Sequence, residues 1–349
     1  MPHKKVLVIG DPHVKASNLP DIDLFMERLT SEVLLQEGFD GIVVLGDCLH
    51  DHERVHTTPM NRAIQMFCEL AKHAPVWVLV GNHDLVNNQQ FLTENHWMAG
   101  LKHLPGVVIV DTVIHVPELN AVMTPYVPNG RMEEALDTLD GPDDHSVLFA
   151  HQEFLGCKMG AFESETGDEY PPGAVPVISG HIHSNQQPHP NVYYPGSMLQ
   201  HAYGESTRNI VAIATIPDSL EDSSIMIGDT IVPTTVHVRE VDLRLPRKLT
   251  IYTDIDELQG CVHRVPEDGS HTRLVVEGTA DDFKVLRRGK LYKELRKRGV
   301  KIVLKSRVLN TPQTHASADD FVTILEGLCT TTGTSELLQS VLRETMQLQ

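Results

Sequence analysis

The chain begins its folded part with short apolar runs that each end on a polar group. Val6 to Gly10 is β-branched and apolar and stops at Asp11, the pattern of a buried strand delivering a side chain at its C-terminal tip. Asp23 to Glu37 then carries apolar residues at helical spacing (Leu24, Phe25, Leu29, Val33, Leu34). Gly41 to Leu45 is a second such strand ending in Gly46-Asp47. Asn61 to His73 predicts another helix, and Val76 to Val80 a third strand ending in Gly81-Asn82-His83-Asp84. Three β-α units of this kind predict a parallel or mixed sheet covered by helices. Further strands are predicted at 107–110, 121–124, 146–150, 175–179 and 191–194. Those at 210–216, 224–227 and 234–241 are expected to complete a second sheet. The predicted fold is therefore α/β, a two-sheet β-sandwich flanked by helices, with a smaller α+β unit after it.

That second unit is marked by a change in character near Leu243 to Lys248, where a proline appears. Beyond it the pattern predicts a strand at 272–277, a helix at 280–298 closed by Gly299, and a strand at 301–305. Asp281 and Asp282 suit the positive end of that helix. The expected organisation is a main domain at 1–245, a capping domain at 246–310 and a helical C-terminal segment at 311–349, with Ser317 and Asp319 as caps.

Charge sharpens this division. The 349 residues hold 47 acidic and 29 basic side chains, a net charge of -18, which would repel nucleic acid if spread evenly. It is not even: 11 of the basic residues lie between Lys284 and Arg307, beside one acid, Glu294. Five scattered cysteines without C-x-x-C spacing suit reduced thiols rather than a thiolate metal site. The first apolar run is too short for a signal peptide or a membrane span, so a soluble intracellular protein is expected, with no membrane partner.

The candidate chemistry sits at the strand ends. Asp11 and His13, Asp47, Asn82, His151, and His181 with His183 all follow predicted strands, where distant segments of such sheets converge. Carboxylates, imidazoles and one amide form a hard-to-borderline donor set, and seven donors are too many for one tetrahedral ion. They suit two divalent metal ions sharing a carboxylate, with Asp47 the choice for the bridge; manganese leads, and magnesium, iron or zinc also fit.

The blocks D-x-H, G-D, G-N-H-D, H and G-H-x-H, in this order, resemble the calcineurin-like metallophosphoesterase superfamily. The resemblance implies that Asp11, His13, Asp47 and His183 hold one metal while Asp47, Asn82, His151 and His181 hold the other. It further implies that His83 stabilises the transition state and protonates the leaving group, with Asp84 orienting its ring. The arginine-bearing G-D-x-x-D-R-G and the G-N-H-E of phosphoprotein phosphatases are replaced here by Gly46-Asp47-Cys48-Leu49-His50-Asp51-His52 and G-N-H-D. Instead, G-D-C-L-H, Tyr193-Tyr194-Pro195-Gly196-Ser197 and Gly204-Glu205 resemble the Mre11/SbcD-type DNA nucleases. His151 with Gly156-Cys157-Lys158-Met159-Gly160 is similar to nuclease subunits of phage recombination endonucleases.

That likeness implies a DNA exo- and endonuclease of a repair or recombination complex, a homodimer partnered by a Rad50/SbcC-like ATPase. His50 would act at the site, and Ser197, Arg287, Arg288 and Lys290 would contact DNA. His52 and His56 read as loop residues. Two other readings stand beside it: a phosphodiesterase for a small nucleotide or nucleotide-linked substrate, and a non-catalytic scaffold of the same fold. Pro12 inside D-x-H departs from the pattern and is expected to change the first loop's backbone without changing its ligands.

Overall fold

In the computed structural model the described residues are 3–52, 54–139, 145–217 and 236–307, with the backbone of two strands at 224–227 and 230–233. The first half alternates strands and helices: β1 (His3–Ile9), α1 (Leu19–Leu29), β2 (Gly41–Val44), α2 (Thr57–Leu70), β3 (Val76–Leu79) and β4 (Val107–Val110). Next come β5 (Ile114–Val116), β6 (Ala121–Met123), α3 (Met132–Leu136), β7 (Val147–His151) and a small hairpin of β8 (Lys158–Met159) and β9 (Phe162–Glu163). The main body ends with β10 (Val177–Gly180), β11 (Gln186–His189), β12 (Val192–Tyr194), β13 (Val211–Pro217), β14 (Ser224–Ile227), β15 (Thr230–Pro233) and β16 (His237–Val241).

These strands make two six-stranded sheets, ordered β16-β13-β1-β2-β3-β4 and β11-β12-β10-β7-β6-β5. Within the first, β1 to β4 run parallel, and β13 and β16 add on antiparallel. The strands expected to complete the second sheet are divided otherwise: β13 and β16 join the first sheet beside β1, while β14 and β15 form a separate hairpin. Several short elements escaped the sequence pattern, among them β5, β11 and β15, because three or four residues carry too little periodicity to stand out.

Alternation along the strands builds the layers. In β1, Leu7 and Ile9 face a core shared with Phe25 and Leu29 of α1 and Phe67 of α2. Val6 and Val8 face the opposite way, into a core between the sheets with Val43, Trp77, Phe149 and Ile178. Strands buried on both faces read as continuous apolar runs, which is why β1, β2 and β3 were so legible. A third core, with Leu148, Phe154 and Tyr194, lies on the outer face of the second sheet against α3. Burying these large side chains stabilises the sandwich by roughly 2 kcal/mol each.

A three-stranded parallel sheet follows: β17 (Lys248–Asp254), β18 (His271–Gly278) and β19 (Lys301–Ser306), with helices α4 (Leu258–Cys261), α5 (Ala280–Arg288) and α6 (Lys290–Lys297). Strand β17 begins where the charge character changes and was not anticipated. The single helix expected at 280–298 is broken at Gly289, which adopts φ -69 and ψ 155 and ends α5. Glycine stabilises a helix interior less than other residues, so the break falls there. Thr279 caps α5 and Asp282 bonds back to it, a reciprocal box that satisfies two orphan donors. Gly299 adopts φ +79 beyond α6, the left-handed conformation of a helix C-cap. No helix among the described residues is long and apolar enough to cross a membrane. The expected C-terminal helices, with Ser317 and Asp319, lie outside the described residues.

Candidate metal centre

All seven sequence-derived donors meet at one end of the sandwich, beyond the C-terminal ends of β1, β2, β3, β7 and β10. The last residue of β7, His151, pairs in register with Gly180 at the end of β10, so the two strands of the second sheet deliver their imidazoles side by side. Four of the residues adopt left-handed backbone that non-glycine residues seldom take: Asp11 (φ 38), His13 (φ 40), Asp47 (φ 50) and His181 (φ 78). Such strain costs on the order of 1 kcal/mol or more per residue and persists where the surroundings over-determine it, often at functional sites. Pro12, between two of them, is part of this bent loop, consistent with the expectation that it shapes backbone rather than ligands. Gly81 is required by crowding: a Cβ there would stand 2.3 Å from both the backbone nitrogen and Oδ1 of Asp47.

The donors sort into two sets joined by Asp47. Its Oδ2 lies 3.4 Å from His13 Nε2, and its Oδ1 lies 3.4 Å from His151 Nε2. On one side, His13 Nε2 and His183 Nε2 are 3.0 Å apart. On the other, Asn82 Oδ1 meets His181 Nδ1 at 2.8 Å and His151 Nε2 at 3.1 Å. Asp11 sits beneath, its Oδ1 accepting the His181 backbone N–H at 2.8 Å. Two groups close enough to hold an ion emerge, His13/Asp47/His83 and Asp47/His151/His181, and Asp47 belongs to both.

The residues fit a pair of divalent cations. Asp11 Oδ2 is buried without a hydrogen-bond partner, an expensive state for a polar atom unless a further group completes it. The 3.0 Å between the two imidazole nitrogens is what neighbouring ligands of one ion require at bonds of about 2.1 Å. The imidazoles also present lone pairs. His151 Nδ1 donates to the Leu45 carbonyl at 2.6 Å, and His183 Nδ1 faces Glu205 Oε1 at 3.3 Å, which leaves Nε2 of each ring as the donor atom.

Burial and close opposite charges act against each other in this pocket. Burial would raise Asp47, but the charge and hydrogen bond of His151, with His13 and His83, hold it well below the usual carboxylate range. Burial opposes a proton on His151, yet Asp47 and Asp11 lift it to about 9. Burial pushes His181 down to about 3 and His13 well below its ordinary value, and it raises Asp11. Neutral His13 and His181 are in the state that binds metal, whereas His151 would give up a ring proton when an ion is bound.

The neighbours of these ligands are placed differently from expectation in two cases. Among the described residues no hydrogen bond joins Asp84 to the His83 ring. Its carboxylate accepts from the backbone N–H of Cys48 (3.0 Å), Leu49 (3.3 Å) and Gly81 (3.0 Å) and from Trp97 Nε1 (2.8 Å). It locks the Asp47 loop to the Asn82 loop, and burial with the charge of Asp47 raises it to about 6. The His83 ring is held instead by His50, whose carbonyl accepts from Nδ1 at 2.6 Å, while the Asp47 carboxylate accepts the His83 backbone N–H at 2.8 Å. Ser197 is buried, with its hydroxyl donating to the Leu199 carbonyl at 2.7 Å. That hydroxyl is engaged in closing the turn.

His50 itself is half-buried, its ring 5.4 Å from that of His13. His52, read from sequence as a loop residue, stacks on His83 with centroids 4.3 Å apart and planes 19° apart. Three further residues were missed. Tyr126 packs on His181 (5.8 Å) and His151 (6.2 Å), and His201 lies between His13 (4.8 Å) and His183 (5.2 Å). Glu205, noted only as part of a motif, faces His183. Residue type offered no signal for Tyr126 or His201, since neither belongs to a spaced motif near its partners. Arg287, Arg288 and Lys290 are not drawn into the centre; they are exposed on α5 and α6. Beside His181 and His183 an open groove of about 950 Å³ runs past Lys158, Tyr203 and Glu205.

Comparison with known proteins agrees with this geometry. The model of the calcineurin-like phosphoesterase family matches residues 4–185, a span that holds every donor. The 244L protein of Invertebrate iridescent virus 6 is 40% identical over 299 residues, which is 83% of this chain and 100% of that protein. The 078R protein of Invertebrate iridescent virus 3 is 37% identical over 341 residues, 95% of this chain and 94% of its own length. Both are named as candidate phosphoesterases. With donors, strand ends and family model all coinciding, the chain belongs to the calcineurin-like phosphoesterases.

Proposed function

We propose that the chain is a metal-dependent DNA exo- and endonuclease, the hydrolytic subunit of a repair or recombination complex, using two divalent ions, manganese foremost. The observation that carries the hydrolytic part is the carboxylate of Asp47, one oxygen toward each donor set. Bound there, two cations would supply a hydroxide nucleophile and neutralise charge on a phosphodiester. The chain's own groups do the rest. His83 Nδ1 donates to the His50 carbonyl, and in the imidazolium form the ring passes its Nε2 proton to the leaving oxygen and is left neutral with its proton on Nδ1. His52 stacks on that ring and limits its rotation.

DNA as substrate rests on other features. The Asp47 loop lacks the arginine with which phosphoprotein phosphatases clamp a monoester: Asp51 stands at that position, directly after His50. Arg287, Arg288, Lys290, Lys293, Arg296 and Lys297 are exposed and make no ion pair among the described residues. Unpaired cations on a strongly acidic protein suit contact with a phosphate backbone. In this reading the unit after residue 246 caps the nuclease domain on DNA, the active form is a homodimer, and a Rad50/SbcC-like ATPase is its partner. The groove beside His181 and His183 favours a second reading, hydrolysis of a small nucleotide diester, because its volume suits one such ligand.

Manganese-dependent digestion of labelled linear duplex and single-stranded DNA, with Asp47→Asn as control, tests the proposal. Metal-dependent cleavage lost in the variant supports it. Hydrolysis of bis-nitrophenyl phosphate and a nucleotide with DNA left intact, even with a cognate ATPase, selects the second reading.

A further inference from the structure

The turn from Gln200 to Glu205 lies outside all five motif blocks, yet it reaches two of the ligands. His201 is buried among the rings of His13 and His183, and its Nε2 lies 2.9 Å from the Asp11 carbonyl. A carbonyl only accepts, so His201 is the Nε2–H tautomer and donates. The bond falls on a backbone that needs it, because Asp11 holds φ 38 immediately before a proline, a conformation disfavoured for that position.

Glu205 closes the same turn from the other side. Its Oε2 accepts the backbone N–H groups of His201 (2.7 Å) and Ala202 (2.8 Å), and its Oε1 faces Nδ1 of His183. One carboxylate therefore fixes the path of the turn and the ring of a ligand. Gln200 anchors the turn to the three-stranded unit: its Oε1 accepts the Lys248 backbone N–H at 2.7 Å, and its Nε2 donates to the Lys248 carbonyl at 3.2 Å. The second donor set is held by other means: His151 by the Leu45 carbonyl, and His181 by packing on Tyr126.

We propose that His201 and Glu205 are positioning residues for one ion of the pair, the one faced by Asp11, His13 and His183, and leave the other ion's ligands untouched. The inference rests on the two-metal reading and adds that the two sites have separate supports. Partners of this outer kind change metal affinity by about 10- to 100-fold when removed.

Calorimetric titration of the metal-free full chain with Mn2+ alone tests it. The wild-type chain is expected to bind two ions. In His201→Phe and Glu205→Gln one of the two is expected to weaken by about 10- to 100-fold, with the other unchanged. His201→Gln, which keeps a donor near the Nε2 position, is expected to recover most of the loss; a packing role alone would instead be better served by phenylalanine. Thermal melts in chelator, coincident with wild type, show that each variant is folded, and Glu205→Gln carries the test if His201→Phe is not. Two ions held with wild-type affinity in both variants, or equal weakening of both ions, overturns the inference. A wild-type chain that binds no Mn2+ overturns the two-metal reading beneath it.

Discussion

The centre at the sandwich end and the basic unit that follows it in the chain solve opposite problems. In the centre, the donors are buried or half-buried, aimed and braced: Asp84 ties two ligand loops through their backbone N–H groups, and His83 hangs from the His50 carbonyl. In α5 and α6 the cations are exposed, and Phe283, Leu286 and Leu295 are committed to the core of the small sheet. Chemistry needs positions held to fractions of an ångström, whereas contact with a phosphate backbone needs charge and reach. A change in the first region should therefore abolish activity, and a change in the second should grade it.

The largest effect tests the shared carboxylate. Asp47→Asn removes the charge common to both donor sets and should lower kcat on any diester by a factor on the order of 10³, with EDTA acting similarly on the wild type. Stopped assays on a chromogenic diester measure it; a fall of less than tenfold breaks the assignment of Asp47. His83→Ala should cost about 10²- to 10⁴-fold while Mn2+ binding is retained, which separates proton donation from ligation. Calorimetry beside kinetics decides, since loss of an ion would make His83 a ligand.

Moving outward, charge reversal of Arg287, Arg288 and Lys290 together should weaken DNA binding about 10-fold or more at low salt and flatten its salt dependence. Hydrolysis of the chromogenic diester should stay unchanged. An unaltered salt slope would remove α5 and α6 from the interface and favour the small-substrate reading. Burial places the Cys157 thiol at about 11 and raises Cys48 well above its ordinary value, so both should stay protonated and resist iodoacetamide at pH 8 until urea unfolds the chain. Mass spectrometry of labelled peptides reads this, and prompt labelling of Cys157 in the folded protein would refute it. The smallest effect is local: Thr279→Ala removes the cap of α5 and should cost about 1 kcal/mol in urea unfolding, leaving the metal centre intact.

The same contrast explains which parts were legible in the sequence. Apolar runs ending in Gly-Asp or Gly-Asn announced β1, β2 and β3 and their donors, because a strand buried on both faces and a polar tip are local properties of a few consecutive residues. The partners of those donors were not legible. Asp84 seemed to belong to its neighbour His83, yet its bonds run to Cys48 and Leu49, some 35 residues away. Ser197, expected to contact DNA, is buried in its Pro-Gly-Ser turn. His201 and Tyr126 carried no motif at all.

By itself, then, the sequence determined the donor types, their strand-end placement and the chemistry they permit, since these follow from residue identity and short-range pattern. Only the tertiary structure decided that Asp47 faces both sets, that His50 rather than Asp84 holds the His83 ring, and that a turn at 200–205 reaches Asp11 and His183. Hydrogen bonds of about 3 Å between residues up to 190 positions apart depend on how two sheets stack, and no local period in the chain records that.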